Sequence, residues 1–356
     1  MKSSAKPRAN PRRKRAIAAP SKERLLAVVS AFQGRRIAVV ADLVIDEFLN
    51  GRVERISREA PVLILQYEGS DLRLGGGANA VHNIKTLGGE PFPVGFVGND
   101  ATGRELMTLL KLKRIQTLGV GRAKNYGTPR KSRILGGGFH STRQQIVRLD
   151  RTQPLLPASQ GWSEGHVRKV LKKIGHVDGV LVSDYGLGLV TQEVLNLSTA
   201  FARKHKAPLT ADSRHALLEL EGVTAVTPNE PEVEEALGIT IGHDIAKLEK
   251  AGRTLQSRLK TPSVLVTRGS DGMSLFEADA PPRHIPVFGS DEVADVTGAG
   301  DTVIATFTLA LAAGATAFEA AHLANVAGGL VVMKRGTATV SARELRNAIR
   351  ESSVFA

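Results

Sequence analysis

The chain has 356 residues, 42% hydrophobic and 23% charged, which suits a soluble globular protein of two modest domains or one large α/β domain. It contains no cysteine, so disulfides, thiolate metal sites and cysteine nucleophiles are excluded and a reducing, cytoplasmic setting fits. The net charge is +13, but residues 1–22 carry eight Lys and Arg and no acid, leaving +5 for the rest.

That basic segment also holds Pro7, Pro11 and Pro20 and few apolar residues, a composition that predicts a disordered tail. It lacks the apolar core of a secretory signal, and no run along the chain approaches the roughly 20 apolar residues needed to cross a bilayer. Any contact with nucleic acid is expected through this tail alone. From about residue 23 to 352 a single domain is expected. "RIAVVA" (36–41), "PFPVGFVG" (91–98), "DGVLVSD" (178–184), "APLTAD" (207–212), "AVTPN" (225–229) and "SVLVTRG" (263–269) read as short buried strands. Between them, 77–87, 103–112, 163–175, 191–204, 230–237 and 244–260 have helical length. Alternation of this kind predicts a doubly wound, mostly parallel sheet with helices on both faces. Ligands of such sheets bind beyond the carboxyl ends of the strands, where Asp42, Asp184, Asp212, Asn229 and Thr267 should gather.

Two segments break the alternation. Residues 47–72 and 128–150 read as extended pieces without intervening helices, and predict a small antiparallel sheet serving as a lid over the carboxyl edge. After residue 296 the chain turns helical, with segments 298–314, 317–336 and 341–352, the last opened by the capping-box pair Ser341 and Glu344.

Three stretches carry chemistry. In "DVTGAGDT" (295–302) a Gly-rich turn opens a helix, so unpaired backbone N–H groups and the helix dipole can hold an anion. No Walker A pattern occurs. An anion hole followed by a carboxylate, Asp301, fits phosphoryl transfer to a hydroxyl, the amides taking the anionic charge and the carboxylate the proton; a plain helix-terminal acid is the structural alternative. In "LGGGANAVHNIKTLGG" (74–89) a G-x-G-x-x-A pattern admits a dinucleotide site, a tight turn, or the preferred reading of a backbone that approaches a polyol with Asn79 beside it. In "VTPNEPEVEEALG" (226–238) Asn229 and Glu232 share a helix face and could hold the water shell of Mg²⁺, or simply cap the helix. No two histidines have metal-ligand spacing.

"GGGAN", "TPNEPE", "VTRGSDGM" and "DVTGAGDT" resemble, in order and approximate spacing, the ribokinase-like (PfkB) sugar kinases over residues 36–350. Within that family "RVERISREAPV", "QQIVRLD", "LVSDYGLG" and "DVTGAGDTVIA" are most similar to the D-glycero-β-D-manno-heptose 7-phosphate kinases of ADP-heptose synthesis. The resemblance implies a ribokinase-like fold, ATP with Mg²⁺, and in some members a monovalent cation such as K⁺ near Asp295 and Thr297. It implies that Asp301 is the base and that the N–H groups of Gly298, Ala299 and Gly300 form the anion hole. Asp46, Gly76, Gly77, Asn79 and Asp184 would meet the sugar. Asn229 and Glu232 would meet Mg-nucleotide, Glu232 through water, and Thr267, Gly269, Gly272 and Asn325 the nucleotide itself. A phosphorylated acceptor needs a second cationic site, expected from Arg133, Arg143 and Arg214, with Lys131 and Arg148 also on the lid. The resemblance further implies pairing of two copies through the lid. Leu187 stands where the related pattern has lysine, and Ser213-Arg214 replaces Pro-Lys, which leaves the acceptor open to another sugar, sugar phosphate or nucleoside. A non-catalytic binder acting through the basic tail is the reading from outside enzymology, and a dinucleotide oxidoreductase rests on G-x-G-x-x-A alone.

Overall fold

The structure, a computed structural model, describes residues 19–137, 143–156, 160–289 and 294–355. Residues 1–18 of the expected tail, and residues 138–142 within the expected lid segment 128–150, lie outside them. The tail does not run to residue 22, because Ser21 accepts the Arg24 N–H at 3.2 Å and caps helix α1 (Lys22–Ser30), an arrangement worth about 1 kcal/mol.

The nine-stranded main sheet starts with β1 (Arg36–Ala41), third from one edge. On one side lie β4 (Glu90–Gly98) and β5 (Val120–Ala123); on the other lie β8 (Gly179–Asp184), β9 (Leu209–Ser213), β10 (Ala225–Val226) and β11 (Ser263–Thr267). These seven are parallel. β12 (Met273–Glu277) pairs antiparallel with β11, and β13 (Arg283–Ile285) antiparallel with β12, finishing one edge.

Strand periodicity explains the layering. Along β1, Ile37, Val39 and Ala41 face one core while Ala38 and Val40 face the other. Leu181 of β8 and Leu265 of β11 repeat the split against Val180, Val182, Val264 and Val266. The first core is closed by α1, α2 (Gly77–Thr86), α3 (Ala101–Leu112), α8 (Ala299–Ala312), α9 (Ala317–Val332) and α10 (Ala342–Glu351). The second is closed by α4 (Gln160–Lys173), α5 (Gln192–His205), α6 (Glu230–Leu237) and α7 (Ile245–Leu259). α8 and α9 are apolar nearly all round because both are sandwiched in the first core. Among the described residues no helix is long and apolar enough to cross a membrane.

The lid is a four-stranded sheet ordered β3-β2-β6-β7, made of β2 (Leu43–Ile56), β3 (Leu63–Gly76), β6 (Arg130–Gly137) and β7 (Gln144–Arg151). Its strands extend beyond the expected 47–72, because β2 leaves β1 after Asp42 alone and β3 runs straight into α2. The two outer pairs are antiparallel, but β2 and β6 pair in parallel. Both follow main-sheet strands off the same carboxyl edge, so the two hairpins meet running the same way. "LGGGAN" thus leaves a lid strand rather than a main-sheet strand, which removes the βαβ context that a dinucleotide fingerprint needs.

Candidate active site

The strand-terminal polar residues gather on one edge. Asp42, just past β1, accepts the backbone N–H groups of Tyr185 and Leu187 at 2.9 and 3.1 Å. Asp184, ending β8, accepts the Gly186 N–H at 2.9 Å and the Ser213 hydroxyl at 2.6 Å. Asn229 and Thr267 bridge across adjacent strand ends. Thr227 follows the residue paired with Ala211 and so lies beside Asp212. Asp212 Oδ1 and Thr227 Oγ1 are buried and have no hydrogen-bond partner among the described residues. Orphaned buried acceptors of this kind call for an absent partner.

Burial, and then Asp184, pushes the Asp42 carboxyl up to about 7. Burial, followed by Glu232 and Asp301, pushes Asp212 well above the usual carboxylate range, and Glu232 is itself raised by burial. An edge this rich in acid fits a bound cation. Among the described residues no three His, Cys, Asp or Glu side chains are placed to hold a metal directly; Mg²⁺ commonly keeps several of its waters.

The reacting centre forms where α8 begins. Gly298 caps the helix with φ at 78°, and a Cβ there would approach Asn79 Nδ2 to 2.5 Å. Glycine is therefore required by conformation and by space. Asp301, one turn in, is buried, with 6% exposure. Its Oδ1 accepts the Tyr185 hydroxyl at 2.7 Å and its Oδ2 accepts Asn79 Nδ2 at 3.0 Å. Asn79 is held in turn by Asn83, one turn along α2, which donates to its Oδ1 at 3.2 Å. Burial raises the Asp301 carboxyl to about 6; the two hydrogen bonds and Arg214 pull it down, and Asp46 pushes it up. Asp301 is thus a carboxylate at neutral pH with appreciable basicity, the property a general base needs. Of the three amides expected to face an anion, that of Ala299 turns back to Val296 O at 3.2 Å, because the turn 296–299 closes on itself before the helix starts.

Asp46 of β2 lies in the same cluster. Its Oδ1 accepts Arg133 Nη1 and its Oδ2 accepts the Thr337 hydroxyl, both at 2.6 Å. A Cβ on Gly75 would come within 2.5 Å of that Oδ2, and one on Gly77 within 2.3 Å of Ala41 Cβ, so the glycine run is what lets the lid strand turn into α2 beside these acids. Gly76, Gly77, Asn79, Asp46 and Asp301 are brought together as expected. The cations divide. Arg133 is buried on Asp46, and Arg214 lies over the Tyr185 ring at 4.7 Å, opposite in origin to Lys131 at 4.8 Å. Arg143 is exposed and bonded to Glu68 at 2.6 Å, and Arg148 to Asp150 at 2.9 Å. Arg143 is therefore not brought to the centre.

Beside the start of α8 opens a cavity of about 210 Å³, lined by Thr267, Gly269, Gly272, Met273, Phe288, Val296 and Asn325 among others. Its apolar walls suit a flat aromatic base. Asn325 Nδ2 donates to Pro286 O at 2.7 Å, which fixes the side chain at the cavity wall. Asn229 and Glu232 form a full capping box on α6, with hydrogen bonds of 2.8 and 2.9 Å, so the capping expectation for this pair holds. Asp295 accepts the N–H groups of Thr297 and Gly336, each at 2.9 Å. Burial works to raise its carboxyl, but these donors leave it below the usual range.

Three contributors went unread from sequence. Tyr185 was visible only as part of "LVSDYGLG", although an aromatic directly after a strand-ending acid was an available signal. Asp212 was placed on the edge but given no role. Thr337 reaches Asp46 across 291 positions, and no local pattern announces it.

The chain matches the model of the pfkB family carbohydrate kinases over residues 35–344. It is 38% identical over 312 residues to the bifunctional protein HldE of Pelobacter propionicus, covering 87% of this chain and 62% of that protein. With HldE of Geobacter metallireducens it shares 40% over 308 residues, covering 86% and 61%. The chain spans less than two thirds of the length of these relatives. Arabidopsis thaliana ribokinase, complexed with ribose and ATP, superposes with a TM-score of 0.67 at 18% identity, covering 90% of this chain and 100% of that one. Escherichia coli phosphofructokinase-2, in complex with potassium, gives 0.68 at 19%, covering 89% and 98%. The structural likenesses speak to the fold, a ribokinase-like α/β sheet with its small β lid, whereas the family match carries the class: the chain belongs to the pfkB family of carbohydrate kinases and is an ATP-dependent sugar kinase.

Proposed function

We propose that the chain transfers the γ-phosphoryl group of ATP to the anomeric hydroxyl of D-glycero-β-D-manno-heptose 7-phosphate, giving the 1,7-bisphosphate used for ADP-heptose. The observation that carries this reading is the placement of Asp301. It is a buried carboxylate at the mouth of α8, oriented by Tyr185 and Asn79 and next in sequence to Gly300, which lines the cavity together with Thr267 and Gly272. The heptose acceptor is supported by the sequence resemblance over "RVERISREAPV" and "LVSDYGLG" and by the HldE relatives.

In the proposed step Asp301 takes the proton of the acceptor hydroxyl, the new oxygen–phosphorus bond forms, the bond from Pγ to the ADP oxygen breaks, and ADP leaves. The amides of Gly298 and Gly300, with the α8 dipole, face the anion in transit. Asp46 and Asn79 orient the sugar, with Gly76 and Gly77 allowing its close approach, and Asp184 stands behind them on the sheet edge. Thr267, Gly269, Gly272 and Asn325 hold the nucleotide. Glu232, and Asp212 with its orphaned oxygen, would hold the water shell of Mg²⁺, which would supply neutralisation of the phosphate charge. Asp295 and Thr297 would serve a K⁺ ion. Exposed Leu63, Tyr67, Val147 and Leu149 on the lid support pairing of two copies there. A cytoplasmic setting follows from the nucleotide and sugar-phosphate substrates. The domain, expected over 23–352, is taken to run from the Ser21 cap to Phe355, which is buried in the first core, with the basic tail before it.

ADP release with heptose 7-phosphate, unphosphorylated sugars, hexose phosphates and nucleosides as acceptors tests this reading. The heptose 7-phosphate is expected to give the highest kcat/KM by at least about tenfold. A higher value for another acceptor would move the assignment within the family.

A further inference from the structure

Lid arginines are largely neutralised by acids on the lid or beside it. Arg133 pairs with Asp46, Arg143 with Glu68, Arg148 with Asp150, and Arg130 with Glu47 and Glu105. Lys131 and Arg214 differ. Among the described residues neither forms an ion pair, yet Lys131 Nζ and Arg214 Cζ lie 4.8 and 4.7 Å from the centroid of the same Tyr185 ring. Lys131 comes from lid strand β6 and Arg214 from the loop after β9, so two independent parts of the fold deliver positive charge to one place. Burial, and then Arg214, lowers the Lys131 ammonium from its usual value; Asp46 and Asp150 act the other way, and Arg148 adds to the lowering. Like charges brought to one ring, with no carboxylate ion-paired to either among the described residues, are costly unless an anion joins them.

We propose that Lys131 and Arg214 form a subsite for a phosphate monoester dianion, the phosphate that the acceptor sugar carries at the end remote from its reacting hydroxyl. The proposal rests on the reading of Asp301 as the base that faces the acceptor. Tyr185 sets the spacing: both cations approach its ring while its hydroxyl donates to Asp301 at 2.7 Å. A sugar phosphate laid along the ring puts its dianion between lid and sheet and its hydroxyl at the carboxylate. The guanidinium of Arg214 also faces Asp212 and Glu232 across the edge, so a nucleotide phosphate is the other possible source of the anion, and the test separates the two.

The full chain and its Lys131→Met and Lys131→Arg variants are assayed with ATP and either D-glycero-β-D-manno-heptose 7-phosphate or the same heptose without phosphate. Lys131→Met is expected to lose about a hundredfold in kcat/KM for the phosphorylated acceptor, chiefly through KM, the scale of a charge-assisted hydrogen bond. The loss should be at least tenfold smaller for the unphosphorylated heptose, KM for ATP should stay within about twofold, and Lys131→Arg should recover part of the loss. Equal losses for both acceptors with a raised KM for ATP would assign the anion to the nucleotide and overturn the proposal. So would a wild-type chain that treats both acceptors alike. An Asp301→Asn variant run alongside that turned over normally would instead remove the reading on which the subsite rests.

Discussion

On the lid, Arg133 sits 2.6 Å from Asp46 and Arg143 2.6 Å from Glu68; on the main-sheet edge, Asp42, Asp184, Asp212 and Asp301 form no ion pair among the described residues. The lid balances its charges at home. The edge keeps its acids in a buried place with only N–H groups and hydroxyls as donors, and pays for this in raised pKa values, about 7 for Asp42 and about 6 for Asp301. An acid-rich edge gains most from a cation and is poised to take up a proton. Lys131, a lid cation with no ion pair among the described residues, lies where the two regions meet.

Removing one donor to the base sharpens this contrast most. In Tyr185→Phe the ring stays near Lys131 and Arg214, but Asp301 loses the hydroxyl that helps hold its pKa down; Asn79 and Arg214 still lower it, while Asp46 opposes them and Asp212 lies close by. Turnover needs the carboxylate, so kcat/KM of the parent chain should fall about tenfold per pH unit below about 6. The variant's acid limb should move up by roughly one unit, costing about fivefold at pH 6, approaching about tenfold below pH 5, and little at pH 8. A loss of equal size at every pH would break the claim that the edge's basicity is tuned by these donors. The opposite side of the comparison is tested by Arg143→Gln. An exposed ion pair is worth about 1 kcal/mol or less, so melting should shift little and kcat/KM should stay within about twofold. A tenfold loss toward the phosphorylated acceptor would bring Arg143 to the site, where sequence reasoning expected it.

The difference in legibility follows the same division. Main-sheet strands announce themselves as short Val-, Leu- and Ala-rich runs because both their faces are buried, and α6 was bounded at 230–237 because Asn229, Pro231 and Glu232 spell its start and Gly238 its end. "DVTGAGDT" and Asn79 were legible because backbone geometry leaves only glycine at Gly298 and hardly another side chain beside Asp301. β5, with four residues, and β13, with three, are too short to show a period, and α1 was hidden behind a basic tail whose last residues cap it. Lid charges could be placed on strands but not paired, because a partner such as Glu68 for Arg143 is chosen by register across the sheet and by bulges between Asn50 and Gly51 and between Val53 and Arg55. Thr337, meeting Asp46 from the far end of the chain, belongs to the same class of contact.

Acceptor-dependent ADP release by an Asp301→Asn chain, compared with the parent at pH 7.5 and accompanied by its melting curve, tests the central claim most directly. The substitution keeps the shape of the side chain and can still bond Tyr185, so the chain should fold and melt within a few degrees of the parent while turnover falls by about a thousandfold or more, the scale of a lost general base. Turnover within tenfold of the parent in a folded Asp301→Asn chain would contradict the account.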